Sequence, residues 1–243
     1  MGALHRFFIP PESWVDSALV LRTEEAHHCR DVLRHAAGDE VEVFQGRGKS
    51  AVARIRAVTK SEVSLEALRL DEHPKLPVAV VLAQALPKGK LMDLIVQKAT
   101  EIGVARIVPL LTERTIVRPE EEDRKREKWT RVALEACKQC GQNWLPELAP
   151  VQTVAEFLRN DRSEWRLVAA LAREAKRLRE MAGDRRDGLE SLSIAIGPEG
   201  DFTPAELDQF RSNGAGFLSL GPNVLRSETA AIYALSALSQ EYF

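Results

Sequence analysis

The first part of the chain alternates between apolar and polar residues in short runs that are separated by turn signals. Such alternation is typical of strands with one buried face. It predicts one helix, Glu24–Arg34, and strands at Arg6–Ile9, Val41–Phe44, Ala51–Val58 and Val63–Leu70. Because these short strands follow one another closely, we expect them to form a small β-barrel.

From Val78 onward, continuous apolar runs replace this alternation. Val78–Ala83 is apolar throughout, as expected of a strand buried on both faces of a parallel sheet. Further strands are predicted at Arg106–Leu111, Arg166–Leu171, Ser193–Ile196 and Phe217–Leu220. Helices are predicted at Leu91–Ile102, at Arg124–Cys140, from Pro204 and at Glu228–Gln240. Alternating strands and helices of these lengths indicate an α/β domain with a parallel sheet.

Local signals define the ends and faces of two of these helices. The helix from Pro204 has Thr203 as its expected N-cap, and Glu206 completes a capping box. In the helix that ends at Gly103, the expected buried stripe consists of Leu91, Leu94, Ile95, Ala99 and Ile102. The segment His73–Pro77 predicts a linker, which divides the chain into domains at residues 1–72 and 76–243.

Composition narrows the class of protein. The chain has 243 residues, of which 44% are hydrophobic and 29% charged, as in ordinary globular proteins. No apolar run approaches the roughly 20 residues of a membrane span, and no signal peptide is recognisable. The three cysteines fit a reducing cytoplasm. A net charge of −2 argues against a polyelectrolyte binder, although a local basic patch is still compatible with RNA binding.

Two loops between a strand and a helix are candidate ligand sites, because ligands bind beyond the carboxyl ends of strands in open α/β sheets. In the segment Ile196–Asp201, two glycines allow a ligand to approach the backbone, but Gly-Pro-x-Gly is also an ordinary turn. The segment Leu218–Ala230 has an apolar loop that would suit an adenine. It ends in polar residues at a helix N-terminus, which also fits a simple capped loop.

Several other residues invite a functional interpretation. Lys98 falls on an apolar helix face, where it either pairs with Glu101 or joins Lys88, Lys90 and Arg114 in a phosphate-binding cluster. Cys137 and Cys140 form a C-x-x-C without a second ligand pair, so we expect helix core residues and no metal site. His27-His28 is interpreted as a packed or RNA-facing surface. Nucleotide and hydrolase motifs such as G-x-G-x-x-G and G-x-S-x-G are missing from the sequence.

Taken together, the motifs resemble the bacterial 16S rRNA uridine N3-methyltransferases, the RsmE group of the SPOUT superfamily. The resemblance covers nearly the whole chain and is specific in order and spacing. It rests on His5–Phe8, His27-His28, Val32–Arg34, Gly38-Asp39, Lys88–Lys90, Gln97–Val104, Pro109, Thr112, Ile196–Gly200, Leu220-Gly221 and Leu225–Ala230.

This resemblance implies a PUA-like barrel followed by a SPOUT α/β domain with a C-terminal trefoil knot. It also implies a cytoplasmic homodimer in which the second subunit completes each active site, with no metal and no membrane association. S-adenosylmethionine would be the cofactor. The family's cofactor-binding positions correspond to Leu171, Ile196, Gly197, Pro198, Glu199, Gly200, Leu218, Leu220, Gly221, Val224, Leu225, Arg226, Thr229 and Ala230.

The implied reaction is methylation of N3 of a uridine in the decoding region of 16S rRNA, on the small ribosomal subunit. Arg226 would orient the uracil oxygens and stabilise negative charge, and Glu228 would accept a proton or orient the base. RNA phosphates would contact Arg6, Arg30, Arg34, Lys88, Lys90, Lys98, Arg114 and Arg118. A ribose 2′-O-methyltransferase and a non-catalytic RNA-binding factor with a vestigial pocket are the alternatives.

Two positions depart from the family pattern. The family usually has a second glycine where this chain has Asp201, which adds a charge beside the cofactor loop. It usually has Gln-Ser-Gly-Arg where this chain has Gln139–Gln142. The arginine missing at residue 142 is expected to alter an RNA contact.

Overall fold

The computed structural model of the protein describes residues 4–115, 122–183 and 188–243. The described chain forms two units, of which the first contains the residues up to Lys75 together with Leu134–Leu145. The second contains Leu76–Ala133 and Pro146–Phe243. The proposed functional division at residues 1–72 and 76–243 stays a prediction.

The first unit is built on a five-stranded sheet in the order β1-β3-β4-β5-β2. Its pairs are antiparallel apart from β1 with β3, which is parallel. Apolar side chains alternate along these strands and form one core, as the sequence pattern predicts. The strands are β1 Arg6–Phe8, β2 Leu19–Arg22, β3 Glu40–Phe44, β4 Lys49–Val58 and β5 Glu62–Glu72.

The helix predicted at Glu24–Arg34 exists, but it is not regular. It begins as α1 (Thr23–His27), continues as a π-helical segment (His28–Val32) and ends before Arg34. Arg34 has a φ of 57°, a left-handed conformation that is uncommon outside glycine, asparagine and aspartate. A 3-10 turn at Pro11–Ser13 precedes β2.

The second unit is an α/β fold whose strand pairs are all parallel in the described residues. The strand order is β12-β10-β11-β6-β7-β8, with β9 also paired to β7. The strands are β6 Ala79–Ala85, β7 Arg106–Leu111, β8 Glu147–Leu148, β9 Gln152–Thr153, β10 Trp165–Ala169, β11 Ser191–Ile196 and β12 Gly216–Leu218. The helices are α2 Leu91–Ile102, α4 Val154–Asn160, α5 Leu178–Ala182, α6 Pro204–Ser212 and α7 Ser227–Tyr242, together with α3 Glu122–Cys140, whose residues from Leu134 belong to the first unit.

Most predicted elements of the second unit are confirmed. Thr203 caps α6, accepting a hydrogen bond from the Glu206 backbone N–H at 3.3 Å, and Glu206 completes the predicted capping box. Gly103 ends α2 in the left-handed conformation. The short elements β8, β9, α4 and α5 were not predicted, although Thr153 and Glu156 form a capping box at α4 that the sequence also displays.

Two side-chain predictions were wrong. Leu94 is exposed, because the buried face of α2 contains Met92, Val96 and Thr100 beside Ile95 and Ala99. Cys140 is exposed as well, and only Cys137 of the C-x-x-C belongs to a core. Within the described ranges, we find no helix long and apolar enough to cross a membrane.

Candidate active site

A cavity of about 380 Å³ lies at the carboxyl ends of β10, β11 and β12. Three loops form its wall, one after each of these strands. We call residues 170–175 after β10 the first loop, residues 197–201 after β11 the second loop, and residues 219–226 after β12 the third loop. Because parallel strands end at the same edge of a sheet, the topology brings together segments that are distant in sequence.

Many of the residues predicted to bind the cofactor line this cavity. They are Leu171, Ile196, Gly197, Pro198, Glu199, Leu218, Leu220, Gly221, Val224, Leu225 and Ala230. Gly200, Arg226 and Thr229, which were also predicted, do not contribute to the wall. Asp201, Ser219, Asn223 and Ser227, which belong to the two candidate segments but not to the predicted cofactor-binding positions, line it too. Sequence reasoning missed Ala169, Ala170, Ala172, Arg173 and Ala175, which complete the lining. The available signal for the first loop was that a buried strand ends immediately before it.

Gly200 faces away from the cavity wall and packs against Arg114. A Cβ atom on Gly200 would meet the Arg114 side chain at 3.4 Å. The Arg114 guanidinium donates to the carbonyl oxygen of Gly200 and, at 3.5 Å, to that of Phe202. Arg114 therefore supports the second loop from outside the cavity.

Asp201 has a conformation that glycine adopts more easily. Its φ is 59°, and its N–H donates to the Pro198 carbonyl at 2.9 Å, which closes a tight turn. The carboxylate accepts hydrogen bonds from the Phe202 N–H at 2.8 Å and the Leu171 N–H at 3.3 Å. The side chain thus connects the second loop to the first.

The start of α7 is fixed by a buried polar network. Ser227 Oγ donates to the Gly197 carbonyl oxygen at 2.7 Å and accepts from Gln84 Nε2 at 2.9 Å. Gln84, on β6, is fully buried. Because breaking a buried hydrogen bond is costly, this network fixes the start of α7, directly after the third loop, against the second loop.

The predicted catalytic residues lie at the same end of α7. Arg226 is the extended N-cap residue and is exposed, and its guanidinium makes no hydrogen bond or ion pair in the part of the chain that is described. Glu228 is half-buried, and its Oε2 atom is buried without a hydrogen-bond partner among the described residues. This oxygen is available to accept a proton or a hydrogen bond.

Comparison with known proteins assigns the chain to a family. Residues 74–239 match the model of an RNA methyltransferase domain, and residues 21–68 match that of an RNA methyltransferase PUA domain. Ribosomal RNA small subunit methyltransferase E of Bacillus subtilis is 32% identical over 226 residues, covering 90% of this chain and 88% of that protein. The chain belongs to the ribosomal RNA small subunit methyltransferase E family.

Solved structures of similar proteins agree with this assignment. A Legionella pneumophila protein in complex with the bound cofactor SAM is 34% identical, with a TM-score of 0.89 and 98% coverage of both chains. The ribosomal RNA small subunit methyltransferase E of Neisseria gonorrhoeae, bound to S-adenosyl methionine, is 30% identical. Its TM-score is 0.87, with coverage of 98% of this chain and 97% of that one. Both folds match along nearly their full length.

In this member of the family, two arginines predicted to bind RNA are engaged within the first unit. Arg6 donates to the Cys137 carbonyl at 2.7 Å and to Asn143 Oδ1 at 2.5 Å, and only 7% of its side chain is exposed. Arg30 donates to the Thr59 carbonyl at 2.9 Å and pairs with its neighbour Asp31. These two guanidinium groups hold loops of the unit together.

The other residues predicted to bind RNA differ in solvent exposure and in whether their side chains have protein partners. Arg34 is exposed and its side chain has no partner among the described residues. Lys88 and Lys90 are exposed in the segment before α2. Lys98 Nζ pairs with Glu101 at 2.8 Å, which is one of the two arrangements that the sequence leaves open. Arg118 lies outside the described residues.

The structure accounts for Gln142, one of the two positions where the sequence departs from the expected pattern. Its Oε1 accepts hydrogen bonds from the Asn143 N–H at 3.0 Å and the Trp144 N–H at 3.2 Å. Its carbonyl oxygen lies 3.4 Å from Arg6 Nη1. The glutamine therefore stabilises the turn after α3 within the first unit.

Cysteine and histidine residues form no metal centre in the part of the chain that is described, where no group of three potential ligands occurs. Burial raises the pKa of Cys29 to about 11 and that of Cys137 to about 12. His27 is exposed and lies 2.6 Å from Asp31. The cysteine thiols in the core are therefore protonated and unreactive at neutral pH.

Proposed function

We propose that this protein transfers a methyl group from S-adenosylmethionine to N3 of a uridine in the decoding region of 16S rRNA, acting on the small subunit. One observation carries the proposal for the cofactor site. Three loops at adjacent strand ends converge on a cavity lined by residues of the family's cofactor motifs. Family membership supports small-subunit rRNA as the substrate, and the uridine N3 assignment rests on the motif resemblance.

The cavity suits S-adenosylmethionine in size and chemistry. A volume of about 380 Å³ falls in the range of small-ligand sites, roughly 300–1,000 Å³. Leu218, Leu220 and Val224 offer apolar surface to an adenine, and Gly221, at a φ of 116°, leaves open space above its backbone. Glu199 would attract the cationic part of the cofactor, and Arg173 its carboxylate.

When bound, the cofactor supplies a methyl group already activated on a sulfonium. The protein must then align the uracil, exclude water and remove the proton from N3. Glu228 Oε2, which lacks a partner among the described residues, is our candidate for the proton acceptor. Arg226 would stabilise the negative charge that develops on the uracil oxygens.

The base must reach the site unpaired, because N3 lies on the Watson–Crick edge. RNA phosphates would be bound by the exposed cations Arg34, Lys88 and Lys90, with Arg118 as a further candidate. The side chains of Arg6, Arg30, Lys98 and Arg114 have protein partners, so any contribution of theirs to RNA binding is indirect.

We also propose that the end of the second unit is threaded into a trefoil knot. β12 lies at the edge of the sheet beyond β10, whereas Ser227 at the start of α7 bonds to Gly197 and Gln84 beside β11 and β6. The chain therefore crosses the ends of β10 and β11 after leaving β12. The segment after β10 in turn pairs with β12 through Lys176. This crossing supports a knot, which is rare in proteins generally.

The protein is proposed to be a cytoplasmic homodimer whose second subunit completes each site. Leu94 on α2 is 38% exposed and Tyr233 on α7 is 54% exposed, which leaves apolar surface on two helices that pack together. Such surface favours association with another copy. Light scattering on the purified protein measures the subunit number, and a monomer at micromolar concentration would contradict this part of the proposal.

The decisive experiment determines which atom of the RNA carries the transferred methyl group. Unmodified small subunits are incubated with the protein and S-adenosylmethionine, and the rRNA is digested to nucleosides for mass spectrometry. We expect 3-methyluridine at one position of 16S rRNA. A methyl group on ribose O2′ or on uracil C5 would overturn the N3 assignment, and no methylated product at all would favour a non-catalytic RNA-binding factor.

A further inference from the structure

The three loops around the cavity are connected to one another by hydrogen bonds. The first and third loops are joined where the first loop ends, because the Lys176 N–H donates to the Phe217 carbonyl at 2.9 Å and the Ser219 N–H donates to the Lys176 carbonyl at 2.9 Å. The end of the third loop is held to the second loop through the first residue of α7, because Ser227 Oγ donates to the Gly197 carbonyl at 2.7 Å. Both connections are short and involve buried or backbone groups.

The remaining connection, between the second and first loops, depends on a side chain. Asp201 Oδ2 accepts a hydrogen bond from the Leu171 N–H at 3.3 Å. This bond is the longest of those that link the loops, and Leu171 is 67% exposed. We propose that Asp201 is a positioning residue whose carboxylate closes the ring of loops around the cavity and thereby strengthens cofactor binding. This inference rests on the proposed cofactor site.

The carboxylate is well placed for this role. Its other oxygen, Oδ1, accepts a hydrogen bond from the Phe202 N–H at 2.8 Å, which fixes the orientation of the side chain. Gly197 leaves room for it, since a Cβ atom there would lie 3.1 Å from Asp201 Oδ1. Hydrogen bonds to an ionised acceptor are about twice as strong as those between neutral groups.

The backbone of Asp201 makes the role testable. At a φ of 59°, an aspartate is strained relative to a glycine, which adopts this region freely. Asp201→Gly therefore removes strain together with the hydrogen bonds that the carboxylate accepts from Leu171 and Phe202. We expect the melting temperature of the cofactor-free protein to change little, while cofactor affinity falls. A residue that acts only through fold stability would not separate the two measurements.

The experiment compares Asp201→Gly, Asp201→Asn and the matched charge control Asp208→Asn. Asp208 is an exposed carboxylate on α6 that pairs with Arg211 and does not line the cavity. Calorimetry with S-adenosylmethionine should give about tenfold weaker binding for Asp201→Gly, the size expected for loss of the one charged hydrogen bond that links the first and second loops. Asp201→Asn retains one uncharged acceptor oxygen, so its cofactor affinity should fall by less than that of Asp201→Gly. Asp208→Asn should bind as the wild type does.

Hydrogen exchange on the cofactor-free proteins supplies an independent measurement. Amides of the first loop from Leu171 should exchange faster in Asp201→Gly, whereas Lys176, which has its own backbone partner, should not. Unchanged exchange together with unchanged affinity in both Asp201 variants would overturn the inference. If the wild type bound no S-adenosylmethionine, the proposed function would fail, and exchange at Leu171 would still decide whether Asp201 holds the loop.

Discussion

Replacing Arg6 with alanine should destabilise the fold without directly changing RNA binding. In the structure its guanidinium donates to the Cys137 carbonyl at 2.7 Å and to Asn143 Oδ1 at 2.5 Å. Its Nε atom lies 3.2 Å from a carboxylate oxygen of Glu42 but lacks hydrogen-bond geometry, so that contact is an ion pair. The arginine thus connects β1 to the end of α3 and the turn that follows it.

The size of the change in unfolding free energy depends on which polar groups Arg6→Ala leaves without a partner. Removing one partner from a buried charged network costs about 3–5 kcal/mol, because the remaining groups are left buried and unpaired. Here Asn143 is buried, whereas the Glu42 side chain is 30% exposed and regains hydration. We therefore expect the lower end, a loss of about 3 kcal/mol in the free energy of unfolding. Arg6→Lys should recover only part of it, because an ammonium cannot reproduce the forked geometry.

The assay is urea unfolding followed by tryptophan fluorescence, alongside RNA binding measured at several salt concentrations. Arg34→Ala is the matched control, since Arg34 is exposed and has no partner among the described residues. It should leave stability unchanged and reduce the slope of binding against salt by about 1. The reasoning would be refuted if Arg6→Ala had wild-type stability and weakened RNA binding as Arg34→Ala does.

Four further predictions concern other parts of the molecule. Glu228→Gln should reduce the methylation rate about 10²–10⁴-fold with little change in cofactor affinity, and a near-normal rate in single-turnover assays would remove Glu228 as the base. Thiol labelling of the folded protein at neutral pH should modify Cys140 well before Cys29 and Cys137, whose raised pKa values of about 11 and 12 keep them protonated. The pKa of a thiol in the unfolded chain is about 8.5, below the values of Cys29 and Cys137 in the fold. Ionisation of these two thiols therefore favours the unfolded state, and the free energy of unfolding should fall as the pH rises above about 9. Urea titrations at several pH values measure this fall. Thr203→Ala should cost about 1 kcal/mol through loss of the α6 cap, and an unchanged unfolding midpoint would contradict this.

Local patterns predicted those parts of the fold whose causes are local. The capping box at Thr203 and Glu206 was predictable because both partners lie within one turn of the chain. The ion pair between Lys98 and Glu101 has the same origin. The face of α2 was harder, since apolar residues occur on two adjacent stripes. Tertiary packing decides between them, and in the structure Met92 and Val96 are buried while Leu94 is exposed.

The roles of charged residues depend on partners far away in the sequence. The sequence alone does not distinguish Arg6, Arg30 and Arg34, and it predicts that each binds RNA. Arg6 meets a carbonyl 131 residues away and Arg30 one that is 29 residues away, whereas Arg34 has no such partner among the described residues. A sequence pattern does not encode these long-range contacts. Only the fold separates a structural guanidinium from one available to a phosphate.

The same reasoning explains which part of the cavity wall the sequence revealed. The second and third loops contain glycines and prolines, whose backbone requirements produce recognisable motifs. The first loop is rich in alanine and has no such motif, so only its position after β10 marks it. Two contacts place this loop in the cavity wall. Asp201 of the second loop accepts a hydrogen bond from Leu171, and Lys176 at the end of the first loop pairs with Leu218 on β12. A motif therefore identifies the loops that must adopt unusual backbone conformations, and the strand order identifies the loop that completes the cavity with them.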